Sequence, residues 1–498
     1  MNVNPITRLD YPDPDVIRVE DTYYMVSTTM HFMPGCEILQ SFDLVHWEHV
    51  TYVYETLDHT DAQQLKSGQN IYGQGMWAAS LRYHEGRFYI CFVANDTRKT
   101  YLYTSEKIDG PWKKQLIEGF YHDASLLFDE DGRNYIVYGN DEIWITELNE
   151  DLTAPKKDGL HRLLVSDHKN PKLGYEGSHI QKINGYYYIF LIHSLRDRWM
   201  RTEACFYSDS LEGEFTGGDV LCDDRGYCGQ GVAQGGIVDT PDGKWYAMLF
   251  QDSGAVGRLP ILLPVTWKDH FPFFGQNGHV PEEIEVHSTR PGYIYQPLVG
   301  SDDFCNGLLP RWQFNHDPDP RYYHLDALQG TYTITTREVC TELTQAVNTL
   351  TQRMSYPSCA AEVTVDASAL KEGDVAGLCA LQSCYAAVGI TKHHGKYEVL
   401  MLDKKEDGIL DMTEGTVVES HQMDFRLEAD FCNMKDEARC YYRVNKGDWL
   451  PIGTVHKLYF KLDHFTGCRF GLFCYAAEET GGSACFRDFK YYDVDEIS

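Results

Sequence analysis

The sequence is short of positive charge. It has 44 Lys and Arg against 74 Asp and Glu, a formal net charge of −30 over 498 residues. That balance argues against nucleic acid or an anionic membrane as a partner, and against a polyanionic substrate such as pectate. No apolar run approaches the length of a membrane span. Met1-Asn2-Val3-Asn4-Pro5 offers neither a basic n-region nor an apolar stretch, so no export signal is expected. Cysteine pairs at metal or redox spacing are missing too. The 15 Cys are odd in number, scattered and never arranged Cys-x-x-Cys, which fits free thiols in a reducing cytoplasm rather than disulfides or zinc. No low-complexity linker interrupts the chain, so its parts are expected to pack together.

What is present is a repeat. Tyr175-Glu176-Gly177-Ser178-His179-Ile180-Gln181-Lys182-Ile183-Asn184-Gly185-Tyr186-Tyr187-Tyr188 reads as a strand, an Asn-Gly hairpin and a second strand. Asn-Gly supplies the two positive φ angles that a type I′ turn needs. A turn residue followed four positions later by Tyr recurs at Glu20/Tyr24, Glu85/Tyr89, Asp131/Tyr135, Asn184/Tyr188 and Asp242/Tyr246. The Tyr-to-Tyr steps are 65, 46, 53 and 58 residues, long enough for about four short strands each. Five such units predict a five-bladed β-propeller over residues 1–298. From residue 299 to 498, short alternating strands such as Ala361-Glu362-Val363-Thr364-Val365 predict a β-sandwich of the jelly-roll or concanavalin-like kind. The expected fold class is therefore all-β, with two domains.

The repeat register also places chemistry. Eight residues before each turn residue stand Trp77, Asp123, Glu176 and Gln234; seven before the first stands Asp13. If the strand entering each hairpin is the innermost of its blade, all five positions face one axial cavity. Three of them are carboxylates, costly to crowd together unless their proton affinities are used. Any one of these aspartates alone reads equally well as a turn cap, and Trp77 alone as core. Hydrolysis of a glycosidic bond needs an acid for the leaving oxygen and a base or nucleophile on the other face. Asp13 and Glu176 fall on non-adjacent blades, which favours the wider separation of an inverting enzyme, roughly 6.5–9.5 Å. Asp13 is read as the base and Glu176 as the acid. Asp123 is read as the neighbour whose charge holds the proton on Glu176. Met30 and Phe32, in a loop predicted to fold over the cavity, are read as pocket walls. Arg290, in the Pro/Gly-punctuated crossing between the domains, is read as a cation near the mouth.

The motifs Tyr11-Pro12-Asp13-Pro14-Asp15, Ser27-Thr28 to Pro34-Gly35, Met76-Trp77-Ala78, His122-Asp123-Ala124-Ser125, Tyr175-Glu176-Gly177 and Gln234-Gly235-Gly236 together resemble family 43 glycoside hydrolases. The resemblance implies a propeller acting as a β-xylosidase or α-L-arabinofuranosidase, and carries the roles of base, modulator and acid onto Asp13, Asp123 and Glu176. It implies substrate contacts at Trp77, Gln234 and Arg290, and a C-terminal sandwich that narrows the mouth. Family xylosidases often carry an aromatic where Met30 stands. Many members have a histidine, sometimes linked to a central calcium, where this chain has Ala233-Gln234, so a structural calcium is possible but not indicated and no cofactor is required. The expected function is an exo-acting, inverting release of terminal xylose or arabinofuranose from plant cell-wall oligosaccharides in the cytoplasm; homo-oligomers are left open. An endo-arabinanase and a non-catalytic carbohydrate-binding propeller are the alternatives, and three carboxylates in one register argue against the second.

Overall fold

The computed structural model describes residues 3–493. Five four-stranded antiparallel sheets come first, each hydrogen-bonded in chain order; four are made of consecutive strands, and the first passes over the short strand Phe32–Met33. Their first strands are Asp15–Val19, Ser80–His84, Ser125–Phe128, Glu176–Ile183 and Ala233–Asp239, and each packs against its counterparts in the neighbouring sheets, so they line a common axis. The last of them packs on the first and closes the ring. This is a five-bladed propeller.

Each blade is covered on both faces, and the period-two alternation of a strand sends neighbouring side chains into different cores. In the second blade Ile90 joins the core shared with blade one, while Cys91 joins the core shared with blade three. The repeated tyrosines do the same job five times. Tyr24, Tyr89, Tyr135, Tyr188 and Tyr246 each fill the core between their own blade and the next. The hairpin at Asn184-Gly185 has positive φ at both residues, 50° and 84°, as the Asn-Gly pair demands.

The remaining chain forms a two-sheet sandwich around a large apolar core that includes Trp312, Tyr332, Phe425, Phe470 and Phe486. One sheet has seven strands and the other nine. The ninth is borrowed. Phe32–Met33, from the first blade, pairs with Gln313–Asn315 and forms the edge of the sandwich sheet. The two units therefore share a sheet. Residues 275–298 start beside blades four and five, where the Val280 N–H donates to Asp223, and end on the outside of blade one, where Thr289 donates to the Phe42 carbonyl and Tyr295 bonds the Phe42 N–H.

Candidate active site

Four of the five register positions mark a sharp change of backbone direction where the inner strand begins. Asp13, Asp123 and Gln234 have φ of 54°, 47° and 62°, the left-handed region that non-glycine residues seldom enter. In blade four the turn falls one residue later, on Gly177 at φ 66°. A Cβ there would lie 2.7 Å from the Gln234 side chain, so only glycine fits. A bulge between Glu176 and His179 finishes the work, aiming Glu176 into the cavity while the ladder resumes behind it. Such kinks at one shared depth are the strain expected of a built site.

The cavity at this end of the axis has a volume of about 590 Å³. Asp13, Trp77, Asp123, Glu176 and Gln234 all line it, so the register brings its five positions together. Asp13 is held at both oxygens: Oδ2 accepts from Thr28 Oγ1 at 2.5 Å and Oδ1 pairs with Arg258 Nη1 at 3.2 Å. Glu176 Oε2 accepts from Asn140 Nδ2 at 2.8 Å. Asp123 Oδ2 accepts from the Gly177 N–H at 3.0 Å, tying it to the residue next to Glu176. His122 Nε2 stands 3.5 Å from both Asp123 Oδ2 and Glu176 Oε2.

The charges are strongly coupled. Burial pushes Asp123 up, and the nearby Glu176 and Asp13 add to it against the pull of His122, leaving the carboxyl at about 7. Burial pulls His122 down, but Asp123, Glu176 and Asp13 outweigh it and hold the imidazole at about 9. Arg201 is lowered to about 10 by burial and by the like charge of Arg258. Its guanidinium is paired with Asp252 at the cavity wall.

Three residues expected at the pocket, two as walls and one as a cation near its mouth, lie elsewhere. Met30 is buried, and its backbone pairs with Met76 rather than turning to the cavity. Phe32 is fully buried because its strand is committed to the sandwich sheet, where Arg469 sits 3.4 Å over its ring. Arg290 is on the outside of blade one. It pairs with Asp21 at 2.8 Å, beside the hairpin at the far end of the inner strand from Asp13. The cation at the base is Arg258, with Nε and Nη2 buried and without protein partners.

Sequence reasoning missed Arg258, Arg201, His122, Trp199, Phe250 and Asp252, and also the sandwich residues Phe460, Lys461, Leu462 and Phe465 that form part of the wall. A signal existed for two of them. Arg201 and Arg258 each open the third strand of their blades, an equivalent position that the inner-strand register does not sample. Phe465 lies 5.5 Å from Trp77 and 4.3 Å under the Arg258 guanidinium, so the sandwich reaches the base itself.

Among the described residues, His122, Asp123 and Glu176 are the group of potential metal ligands within 4.8 Å of one another. An imidazole held protonated, among only two carboxylates, does not suit calcium, which takes six to eight oxygens. Ala233 and Gln234 bring no imidazole to the axis, and the Gln234 N–H is committed to Glu203. The residues present do not fit a calcium of that kind.

Comparison with known proteins agrees with this geometry. The sequence profile of Glycosyl hydrolases family 43 matches residues 3–272, and that of the beta xylosidase C-terminal concanavalin A-like domain matches residues 301–492. A beta-xylosidase of Formosa agariphila is 26% identical over 99% of this chain and 89% of its own. A solved structure of a bifunctional GH43-CE protein from Bacteroides eggerthii superposes with a TM-score of 0.93 at 42% identity, over 100% of this chain and 64% of that one. This chain thus spans less than two thirds of that protein. An engineered family 43 enzyme with both endo-xylanase and exo-arabinofuranosidase activity has a TM-score of 0.86 at 27% identity, covering 99% of both chains. With a family profile over more than half its length and the carboxylates of its propeller gathered in one cavity, the chain belongs to glycoside hydrolase family 43.

Proposed function

We propose that this glycoside hydrolase releases terminal β-D-xylose or α-L-arabinofuranose from plant cell-wall oligosaccharides, with inversion at the anomeric carbon. The observation that carries the reading is that Asp13 and Glu176 face one cavity from blades separated by a whole blade. Glu176 gives its proton to the leaving glycosidic oxygen as the C–O bond breaks. Asp13 takes a proton from a water that attacks the anomeric carbon from the opposite face. Arg258 and Thr28 fix both oxygens of Asp13 for that task. Asp123 holds the Gly177 backbone and supplies the negative charge beside the acid.

The exo mode is supported by Phe460, Leu462 and Phe465, which wall the cavity from the sandwich side. Trp77 and Trp199 supply ring faces for a sugar. Acid and base suffice for this chemistry, so no cofactor step is proposed. A reducing compartment is supported by the 15 free cysteines.

The test is a panel of aryl pentosides, xylobiose and arabino-oligosaccharides, with products followed by chromatography and early NMR. Single pentose units of inverted configuration are expected. A ladder of internal products, or a first-formed sugar of retained configuration, would overturn the reading.

A further inference from the structure

Below the three carboxylates the inner strands are clasped to one another in sequence around the axis. Asp15 Oδ2 accepts from the Leu81 N–H at 2.7 Å, joining blade one to blade two. Ser80 Oγ accepts from Leu126 N–H at 3.1 Å, and Ser125 Oγ from Ile180 N–H at 3.0 Å. Gln181 Nε2 donates to the Ile237 carbonyl at 2.8 Å, and Arg18 Nε to the Asp239 carbonyl at 3.1 Å, which closes the circle. Asp15 and Ser125 stand two residues beyond Asp13 and Asp123, so the clasps lie directly beneath the site.

Arg82 occupies the middle of this ring. A guanidinium has five N–H donors in a rigid plane, and here each has an acceptor. Nε donates to the Leu126 carbonyl at 2.9 Å. Nη1 donates to Asp15 Oδ2 at 2.8 Å and to the Leu81 carbonyl at 2.7 Å. Nη2 donates to Ser125 Oγ at 2.7 Å and to the Ile180 carbonyl at 3.2 Å. These acceptors belong to blades one, two, three and four. Arg82 also lines the separate funnel of about 440 Å³ at the opposite end of the axis, so its side chain stands between that funnel and the strands that carry the acids.

We infer that Arg82 is a positioning residue for hydrolysis, the hub that sets the spacing of the strands bearing Asp13, Asp123 and Glu176. It touches no carboxylate of the site. It acts through Asp15, two residues from the base; through Ser125 and Leu126, two and three from Asp123; and through Ile180, just past the bulge that aims Glu176. The contrast with Arg258 is chemical: Arg258 leaves Nε and Nη2 without hydrogen-bond partners, whereas Arg82 has spent every donor on the protein. A lysine could satisfy at most three of the five acceptors, and without the planar spread.

This inference rests on the roles proposed above for the three carboxylates, and its test keeps the two apart. Arg82→Met alone would strand the Asp15 carboxylate, which is almost wholly buried, so folding could fail for that reason. The charge-balanced pair Asp15→Asn/Arg82→Met and the single Arg82→Lys are used instead, each assayed on xylobiose well below its own Tm. Folding is followed by circular dichroism, and kcat is expressed per folded molecule. A displacement of about 1 Å between acid and base costs on the order of 100-fold. The expected result is a fall in kcat of about 100-fold for the pair and about tenfold for Arg82→Lys, with KM within twofold of wild type. A purely structural role would lower the folded fraction and Tm but leave kcat per folded molecule alone. Either variant folded with kcat within threefold of wild type, or a loss confined to KM, would overturn the inference. Glu176→Ala is run in parallel: if it retains wild-type turnover of xylobiose, the failure lies in the carboxylate assignment and not in Arg82.

Discussion

Replacing Asp123 by Asn should stabilise the protein at alkaline pH while disabling it. Asp123 is raised from 3.8 to about 7, chiefly by burial. A group raised in the folded state favours folding fully below its unfolded pKa, and that contribution is lost as pH rises through the folded value. For Asp123 the window runs from about pH 4 to pH 7. The displacement of about three units corresponds to roughly 4 kcal/mol at pH 8.5, an upper bound because water entry and relaxation soften buried charges. About 2 kcal/mol is a fair expectation. It is worth roughly 2 °C in Tm for a chain of this length. Asn keeps the oxygen that accepts from Gly177, so the backbone beside Glu176 should hold. Thermal unfolding at pH 5.5 and 8.5 provides the assay. The variant should exceed wild type at both, by about half as much at pH 5.5, which lies midway through that window, as at pH 8.5. Its kcat/KM on xylobiose should fall at least 100-fold at pH 8.5, where wild-type Asp123 is ionised and the variant lacks that charge beside the acid. Equal Tm differences at both pH values, or a variant less stable at pH 8.5, would refute the reasoning.

Three other outcomes follow from the geometry. Glu176→Ala should lose about 1,000-fold in kcat on xylobiose but far less on an activated aryl xyloside, whose leaving group needs little protonation; equal losses would remove Glu176 as the acid. Arg258→Met breaks a buried pair with Asp13 and removes two unpartnered donors, so kcat/KM should drop by at least 100-fold, about 3 kcal/mol, as read from initial rates on both substrates. Phe465→Ala removes a ring from the wall at Trp77 and Arg258. KM for xylobiose should rise about tenfold, the loss of roughly 1.4 kcal/mol of apolar contact, while the stereochemistry of the product stays inverted.

The parts of the molecule legible in sequence were those governed by a repeating constraint. Five tyrosines recur because five inter-blade cores need the same filler, and five turns recur because five hairpins must reverse. Counting from them reached Asp13, Trp77, Asp123, Glu176 and Gln234, and all five line the cavity. Inference failed where a residue's position depends on the second unit. Phe32 looked like a wall because it sits in a loop near the axis, yet its strand is claimed by Gln313–Asn315, nearly three hundred residues away. Arg290 was chosen as a cation in a crossing segment. The residue that reaches Asp13 is Arg258, at the start of a strand that the inner register does not count. The resemblance implied a sandwich at the mouth, but Lys461, Leu462 and Phe465 themselves carried no signal, since nothing in a sandwich loop's composition says which of its residues end over a propeller.

That last failure bears on what the catalytic unit is. The Asp10 carboxylate accepts from the Arg258 N–H at 2.8 Å and from the Gly467 N–H at 2.7 Å. One buried side chain therefore anchors both the arginine that holds the base and the sandwich segment that carries Phe465. Nearby, Arg353 of the sandwich donates to the Asp10 carbonyl at 3.0 Å and to Glu37 at 2.9 Å. Burial alone would raise Glu37, but Arg353 and His49 outweigh it and hold the carboxyl at about 2. A buried pair of this kind adds little net stability when intact, yet losing one partner leaves an uncompensated charge. The joint is thus specific rather than merely adhesive: any separation of the units strands Glu37 and Arg353, unpairs Phe32–Met33 and withdraws one wall of the cavity. Arginine and wall are positioned by one shared anchor, so the propeller expressed without its sandwich is expected to lose turnover of xylobiose even where it folds, as read from initial rates per folded molecule.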